Sequence, residues 1–182
     1  MAANQPPWPR EWLMTDERLG EKLWQAIDAL PAGAGIVFRH YATPPTERLR
    51  LGERVAAAAR DRGLVLAVAG NCQLATELGA TLVHNPDSAG DLPFSMAVHD
   101  ENQARAARKL GAVLAFIAPM FPTRSHPGAR LLDVQQAVAL ARLAGCRAIA
   151  LGGMNASRFR ELDAAVPGAF HGYAGIDCWL NV

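Results

Sequence analysis

Two stretches of the chain carry side chains that could act on an anion. The first, AFIAPMFPTRSHPGAR at 115–130, begins as an apolar run and turns polar at Thr123, Arg124, Ser125 and His126, just before Pro127-Gly128. Thr123 and Ser125 bring hydroxyls, and Arg124 a planar fork that suits phosphate oxygens. His126 brings a ring that titrates near neutral pH. The second, LGGMNASRF at 151–159, sets Gly152 and Gly153 ahead of the polar start of a helical pattern. Glycines let main-chain N–H groups approach an anion closely, and a helix N-terminus adds partial positive charge. Each stretch also has a plain structural reading, because Pro127-Gly128 is turn chemistry and a glycine pair can simply make a tight turn.

His99 closes the apolar run FSMAVH and is placed to work as a general acid or base, although a histidine there also serves as an ordinary hydrogen-bonding group. His40 and His84 are weaker instances of the same pattern. No His, Asp and Glu set has metal-ligand spacing, and no G-x-S-x-G elbow, P-loop or dinucleotide fingerprint is present. Cys72, Cys146 and Cys178 are widely spaced and form no CxxC pair, so they read as reduced thiols rather than a zinc site or disulfide framework.

Eight short apolar runs could position these residues: 12–15, 35–39, 64–69, 81–84, 94–99, 113–118, 147–151 and 169–175. Several are nearly continuous in Val, Ile, Leu and Phe, as strands covered on both faces should be. Helical patterns lie between them. One runs from Thr46 to Gly63, one from Asp100 to Gly111, one from Leu131 to Gly145, and one starts at Asn155 or Ser157. The alternation predicts a compact (β/α)8 barrel of the TIM type. The chain of 182 residues is short for one, against a typical ~250. The space after the fourth run, NPDSAGDLP, and the tail after the eighth leave no room for full helices, so both are expected to be shortened. A doubly wound open sheet is the structural alternative, but no glycine-rich phosphate turn follows the first run.

Residues 1–11, rich in proline, read as an N-terminal tail, and 12–182 as one barrel domain. With 18 basic and 17 acidic residues and no basic stripe, the chain carries no footprint for nucleic acid. Its apolar runs are far shorter than a membrane span, and the first residues lack a signal-peptide core, so a cytoplasmic location is expected.

In a barrel the site lies at the C-terminal ends of the strands. That rule selects Asp16, Arg39 to Tyr41, Gly70 to Gln73, Asn85 to Asp87, His99, Asp100, Thr123 to His126, Gly152 to Asn155, Ala174 and Gly175. The loops after strands seven and eight of barrels often bind phosphate, which brings Gly152, Gly153, Ala174 and Gly175 forward.

The stretches LMTDERL, NCQLATELGATLVH, SMAVHDENQARAARKLGAVLAFIAPMFPT and AIALGGMNASRFRELDAAVPGAFHGYAGI resemble the thiamine phosphate synthase/TenI family, over about Trp12 to Ile176. The resemblance implies a (β/α)8 barrel, a homodimer and a phosphorylated small-molecule ligand. Synthase members join hydroxymethylpyrimidine diphosphate to hydroxyethylthiazole phosphate with Mg²⁺, making them transferases. TenI-type members isomerise a carboxythiazole phosphate with a histidine at strand five. The primary expectation is a divergent synthase-like protein of thiamine biosynthesis. The alternatives are a TenI-like isomerase and a non-catalytic phosphate-binding or regulatory barrel.

Carried over residue by residue, the family pattern leaves a divided site. Of its Gln-x-Arg-x-Lys motif, Arg39 survives as a substrate-binding candidate and Tyr41 takes the lysine position. Gly70 and Ala89 take the positions of the two magnesium aspartates, with Asp87 nearby as the candidate metal ligand. Ala97 takes a serine position. Thr123 and Ser125 keep their hydroxyls, while Arg124 and His126 flank them in place of the family's Pro and Lys. The implied thiazole phosphate half-site comprises Thr123, Ser125, Gly153, Ala174 and Gly175, with Gly152 and Arg124 beside it. His99 matches the catalytic histidine of the isomerases, and His126 is the second candidate for catalysis.

Overall fold

The computed structural model describes residues 8–123, 128 and 130–180. Eight parallel strands close into a barrel in sequence order: β1 (Glu11–Met14), β2 (Gly35–Phe38), β3 (Val65–Ala69), β4 (Leu82–His84), β5 (Phe94–Val98), β6 (Leu114–Ile117), β7 (Arg147–Leu151) and β8 (Gly172–Gly175). Closure comes from β1 pairing with β8, Trp12 beside Ala174 and Leu13 beside Gly175. All eight strands fall within or beside the expected apolar runs. β1 begins at Glu11, and the chain before it already bonds to the neighbouring β8 segment: Tyr173 N–H donates to Arg10 O, and the His171 ring bonds to Trp8 O.

The nearly continuous apolar runs hide an alternation of period two. Trp12, Met14, Val37, Ala67, Ala69, Leu82, Leu114, Phe116, Ile149 and Ala174 fill the interior. Their alternates, among them Leu13, Ile36, Phe38, Val68, Val98 and Ile117, pack outward under the helices. Large and small residues share the interior, with Trp12 meeting Phe116 edge-on at 5.7 Å between ring centres. The centre is therefore a packed core rather than a pore.

Among the described residues six helices lie outside: α1 (Lys22–Asp28), α2 (Pro45–Asp61), α3 (Cys72–Glu77), α4 (Glu101–Leu110), α5 (Val134–Ala144) and α6 (Ala156–Ala165). Their starts are written in the sequence. Asn71, Asp100, Asp133 and Asn155 cap α3 to α6 with side-chain oxygens, Asp133 and Gln136 forming a reciprocal capping box. The chain passes from β4 to β5 without a helix, and among the described residues after β8 there is a 3-10 turn, Asp177–Trp179. Both shortenings match the expectation from sequence. α1 was not expected; it has no side-chain cap, no acidic residue in its first turn and no basic residue in its last to announce it. Among the described residues no helix is long and apolar enough to cross a membrane.

Candidate functional site

Strand parity chooses the side chains at the mouth of the barrel. On β5, Ser95 points inward to the His84 ring (3.0 Å), and His99 lies on the same alternate face just past the strand end. On β2, Val37 faces the interior and Arg39 is the next residue on that face. A cavity of 870 Å³ opens there, floored by Met14, Leu151 and Ile176. Of the residues picked out by sequence, Arg39, His99, Thr123, Gly152, Gly153, Met154, Asn155 and Gly175 line it. Ala174 does not, because parity turns it into the barrel core beside Trp12, fully buried. Arg124, Ser125 and His126 lie outside the described residues.

The glycine pair is required by close approach. Met120 N–H donates to Leu151 O and Phe121 N–H to Gly152 O, both at 3.0 Å, so the loop after β6 lies flat on the loop after β7. A Cβ on Gly152 would stand 2.9 Å from Pro119 Cα, and Gly152 sits at φ +95°. This contact carries Thr123 to the rim of the cavity.

His99 is held at two points. Its N–H donates to Gln103 Oε1 at 2.7 Å, and its Nδ1 lies 2.9 Å from the main-chain oxygen of Ala118. A carbonyl only accepts, so Nδ1 carries the proton in the neutral ring and Nε2 keeps a lone pair. Arg39 is held by Thr15 O (2.8 Å) through Nε and by Asp16 (3.2 Å) through its terminal nitrogen. Burial works against the Asp16 charge, but Arg18 and Arg39 outweigh it and hold the carboxyl below its ordinary range. Behind this pair, Thr15 Oγ1 accepts from Arg39 N–H and meets His40 Nδ1 at 3.0 Å. His40, at φ +32°, is stacked on Phe38.

Two cavity-lining arginines were missed from the sequence. Arg130 lies on the rim. Arg158, in the first turn of α6, bonds through its guanidinium to Gly153 O and stacks on the Phe121 ring. A cation at a helix N-terminus opposes the helix dipole, which is the signal that could have singled it out. Arg39, Arg130 and Arg158 outnumber the lining Asp177, so the cavity favours anions. Cys178 also lines it, and burial pushes its thiol up to about 12, so it is no nucleophile near neutral pH.

Asp87 lies elsewhere, on a second cavity of 740 Å³ between the ends of β4 and β5 and the flanking helices. Its carboxylate accepts from Cys72 N–H (3.3 Å) and Ser88 Oγ (3.1 Å), and its own N–H donates to Gly70 O (2.8 Å). These bonds, Cys72 first, hold the carboxyl below its ordinary range. Gly70 offers no ligand, and among the described residues no three His, Cys, Asp or Glu side chains converge. Asp87 and Asp91 both line this cavity and are the residues that would hold a magnesium ion together with oxygens of its ligand.

The fold and its mouth define a (β/α)8 barrel with an anion-favouring cavity at the C-terminal strand ends. The chain belongs to the thiamine monophosphate synthase family, whose model matches residues 12–169. Its function is accordingly related to thiamine biosynthesis. Among solved structures it is similar to a thiamine phosphate pyrophosphorylase from Pyrococcus furiosus. The TM-score is 0.77 at 22% identity, over 92% of this chain and 85% of that one. It is similar in fold to a FabK mutant from Thermotoga maritima (TM-score 0.67, 14% identity, 95% of this chain and 63% of that one). A 3-hexulose-6-phosphate synthase shares the fold as well (TM-score 0.58, 13% identity, 92% and 90%). No curated protein matches the chain by sequence.

Proposed function

We propose that the cavity binds a phosphorylated thiazole of thiamine biosynthesis and that His99 moves a proton on it, the isomerase-type activity of the family. The observation that carries this reading is the bond from His99 Nδ1 to Ala118 O, which leaves Nε2 of this cavity-lining residue as the base. The phosphate belongs at Gly152, Gly153, Thr123 and Arg158, and the ring on the apolar floor of Met14, Leu151 and Ile176. Nε2 takes a proton from one carbon of the ring system and returns it to another, so no other reactant is consumed. The synthase reaction uses the same phosphate end. It also needs a seat for a metal-bound diphosphate, and the positions of the family's two magnesium aspartates read Gly70 and Ala89 here.

The test is carboxythiazole phosphate followed by NMR with the purified protein. Interconversion by wild type, with turnover lowered about 10²–10⁴-fold in His99→Asn and binding kept, is the expected result. An unchanged rate in His99→Asn removes the catalytic role, and magnesium-dependent formation of thiamine phosphate restores the synthase reading.

A further inference from the structure

Arg39 is tied down on every side but one. Its main-chain N–H donates to Thr15 Oγ1 at 3.1 Å, and its main-chain oxygen accepts from Arg48 at 2.9 Å, so β1 and α2 fix its backbone. In its guanidinium, Nε donates to Thr15 O at 2.8 Å and Nη2 to Asp16 Oδ2 at 3.2 Å. Those donors make up one edge of the planar group. The other edge, Nη1 with the second hydrogen of Nη2, bonds to no described residue, although the side chain is only 17% exposed and lines the cavity. The carboxylate partner is shared, since Arg18 takes both oxygens of Asp16. Burial, first, pushes the Arg39 guanidinium below its ordinary range; Asp16 counteracts this and Arg18 adds to it. A cation largely out of water, with two parallel donors unused, is a seat for the two oxygens of a planar anion.

The barrel order says which part of a ligand reaches that seat. β7, β8, β1 and β2 stand side by side. Along that arc the cavity is lined in turn by Gly152, Gly153 and Arg158, then by Ile176 and Met14, then by Arg39. The sequence is cation, apolar floor, cation. β5, which ends at His99, stands halfway round the ring from β1. A ligand with its phosphate at Arg158 and its ring on Ile176 and Met14 therefore brings the far side of the ring to Arg39 while His99 faces it from the opposite wall.

We infer that Arg39 is a specificity residue whose open edge binds a carboxylate on the ring, at the end away from the phosphate, so that the cavity selects carboxylated thiazole phosphates over those without the carboxylate. This rests on the phosphate reading above.

The experiment is calorimetric titration with carboxythiazole phosphate and with hydroxyethylthiazole phosphate, which share ring and phosphate and differ in the carboxylate. The proteins are wild type, Arg39→Gln and Arg39→Lys. Wild type should prefer the carboxylated ligand about 10–100-fold, the worth of a charge-assisted pair. Arg39→Gln should lose this preference, weakening for the carboxylated ligand and holding the other within about twofold. Arg39→Lys should keep part of it, because an ammonium retains the charge without the fork. In wild type, the nitrogen NMR signals of the Arg39 guanidinium should move with the carboxylated ligand alone, which tests the contact even where a variant does not fold. Equal binding of the two ligands by wild type, equal losses for both in Arg39→Gln, or guanidinium signals that move alike with both overturns the inference and leaves the phosphate reading standing. If wild type binds neither ligand, the phosphate reading falls and the assignment of Arg39 falls with it.

Discussion

The guanidinium carbon of Arg158 lies 4.5 Å from the centre of the Phe121 ring, while the same group bonds to the oxygen of Gly153. One side chain from α6 thereby joins the loop after β6 to the loop after β7, at the end of the cavity proposed to take the phosphate. Arg158→Ala should weaken binding of a thiazole phosphate about tenfold, the cost of one charge-assisted hydrogen bond. Arg158→Lys should recover only part of this, because an ammonium keeps the charge but loses the fork and the stacking. Calorimetric titration checks both. Equal affinities for the three proteins would take Arg158 out of the site.

Gly153 tests the contact that sets this end of the cavity. At φ +61° its added Cβ would meet Phe121 Cβ and Pro122 O, each at 2.8 Å. Gly153→Ala should therefore destabilise by roughly 1–3 kcal/mol, from backbone strain and from displacing the loop. Thiazole phosphate binding should fall with it. Gly168, at φ +71° with nothing within 4 Å, is the control. Gly168→Ala carries the backbone strain alone, about 1 kcal/mol, and should leave binding unchanged. Urea unfolding of both variants separates the two contributions.

His84 gives the fold a pH dependence whose sign is set by burial. It is enclosed under the mouth, bonded to Ser95 and edge-on to Phe116. Burial first, and the Arg39 charge second, lower its pKa to about 3 from an ordinary 6.5. Below 6.5 the unfolded chain takes up a proton that the folded state refuses, so stability falls as the pH drops toward 3. Between pH 7 and 5 the loss from this one group is about 2 kcal/mol, at 1.4 kcal/mol per pH unit below the unfolded value. Denaturant unfolding of wild type and His84→Asn at both pH values should show a pH-dependent difference of that size. An identical pH dependence in the two proteins would mean that His84 titrates normally in the fold.

The strands were legible because a barrel strand, covered on both faces, must be apolar almost throughout. Strand ends then located Arg39, His99, Gly152 and Gly153 with no further information. Other residues were hidden for physical reasons. Ala174 stands near the end of the last strand, but inward parity puts its side chain in the core. Arg158 looks like any exposed helical charge until the loop it stacks on is known. The short α1 carries no capping signal, and its place comes from packing Leu23, Ala26 and Ile27 against the barrel.

The interior offers a last prediction about how so short a chain fills a barrel. Trp12 and Gly35 are paired across β1 and β2, and a Cβ on Gly35 would collide with the Trp12 ring. The indole is fully buried, its Nε1–H donating to Pro9 O at 2.9 Å and its ring edge-on to Phe116. Gly35 is thus the space that lets one large side chain fill this level of the core. Gly35→Ala should destabilise by about 1–3 kcal/mol through overpacking. Trp12→Leu should cost roughly 2–4 kcal/mol through lost contacts and a cavity. In the double variant the alanine methyl enters space the indole has left, so the combined loss should fall short of the sum by about 0.5–3 kcal/mol. A double-mutant cycle in urea measures this coupling. Strict additivity would mean that the β1–β2 pair relaxes apart and that Gly35 is not there to make room for Trp12.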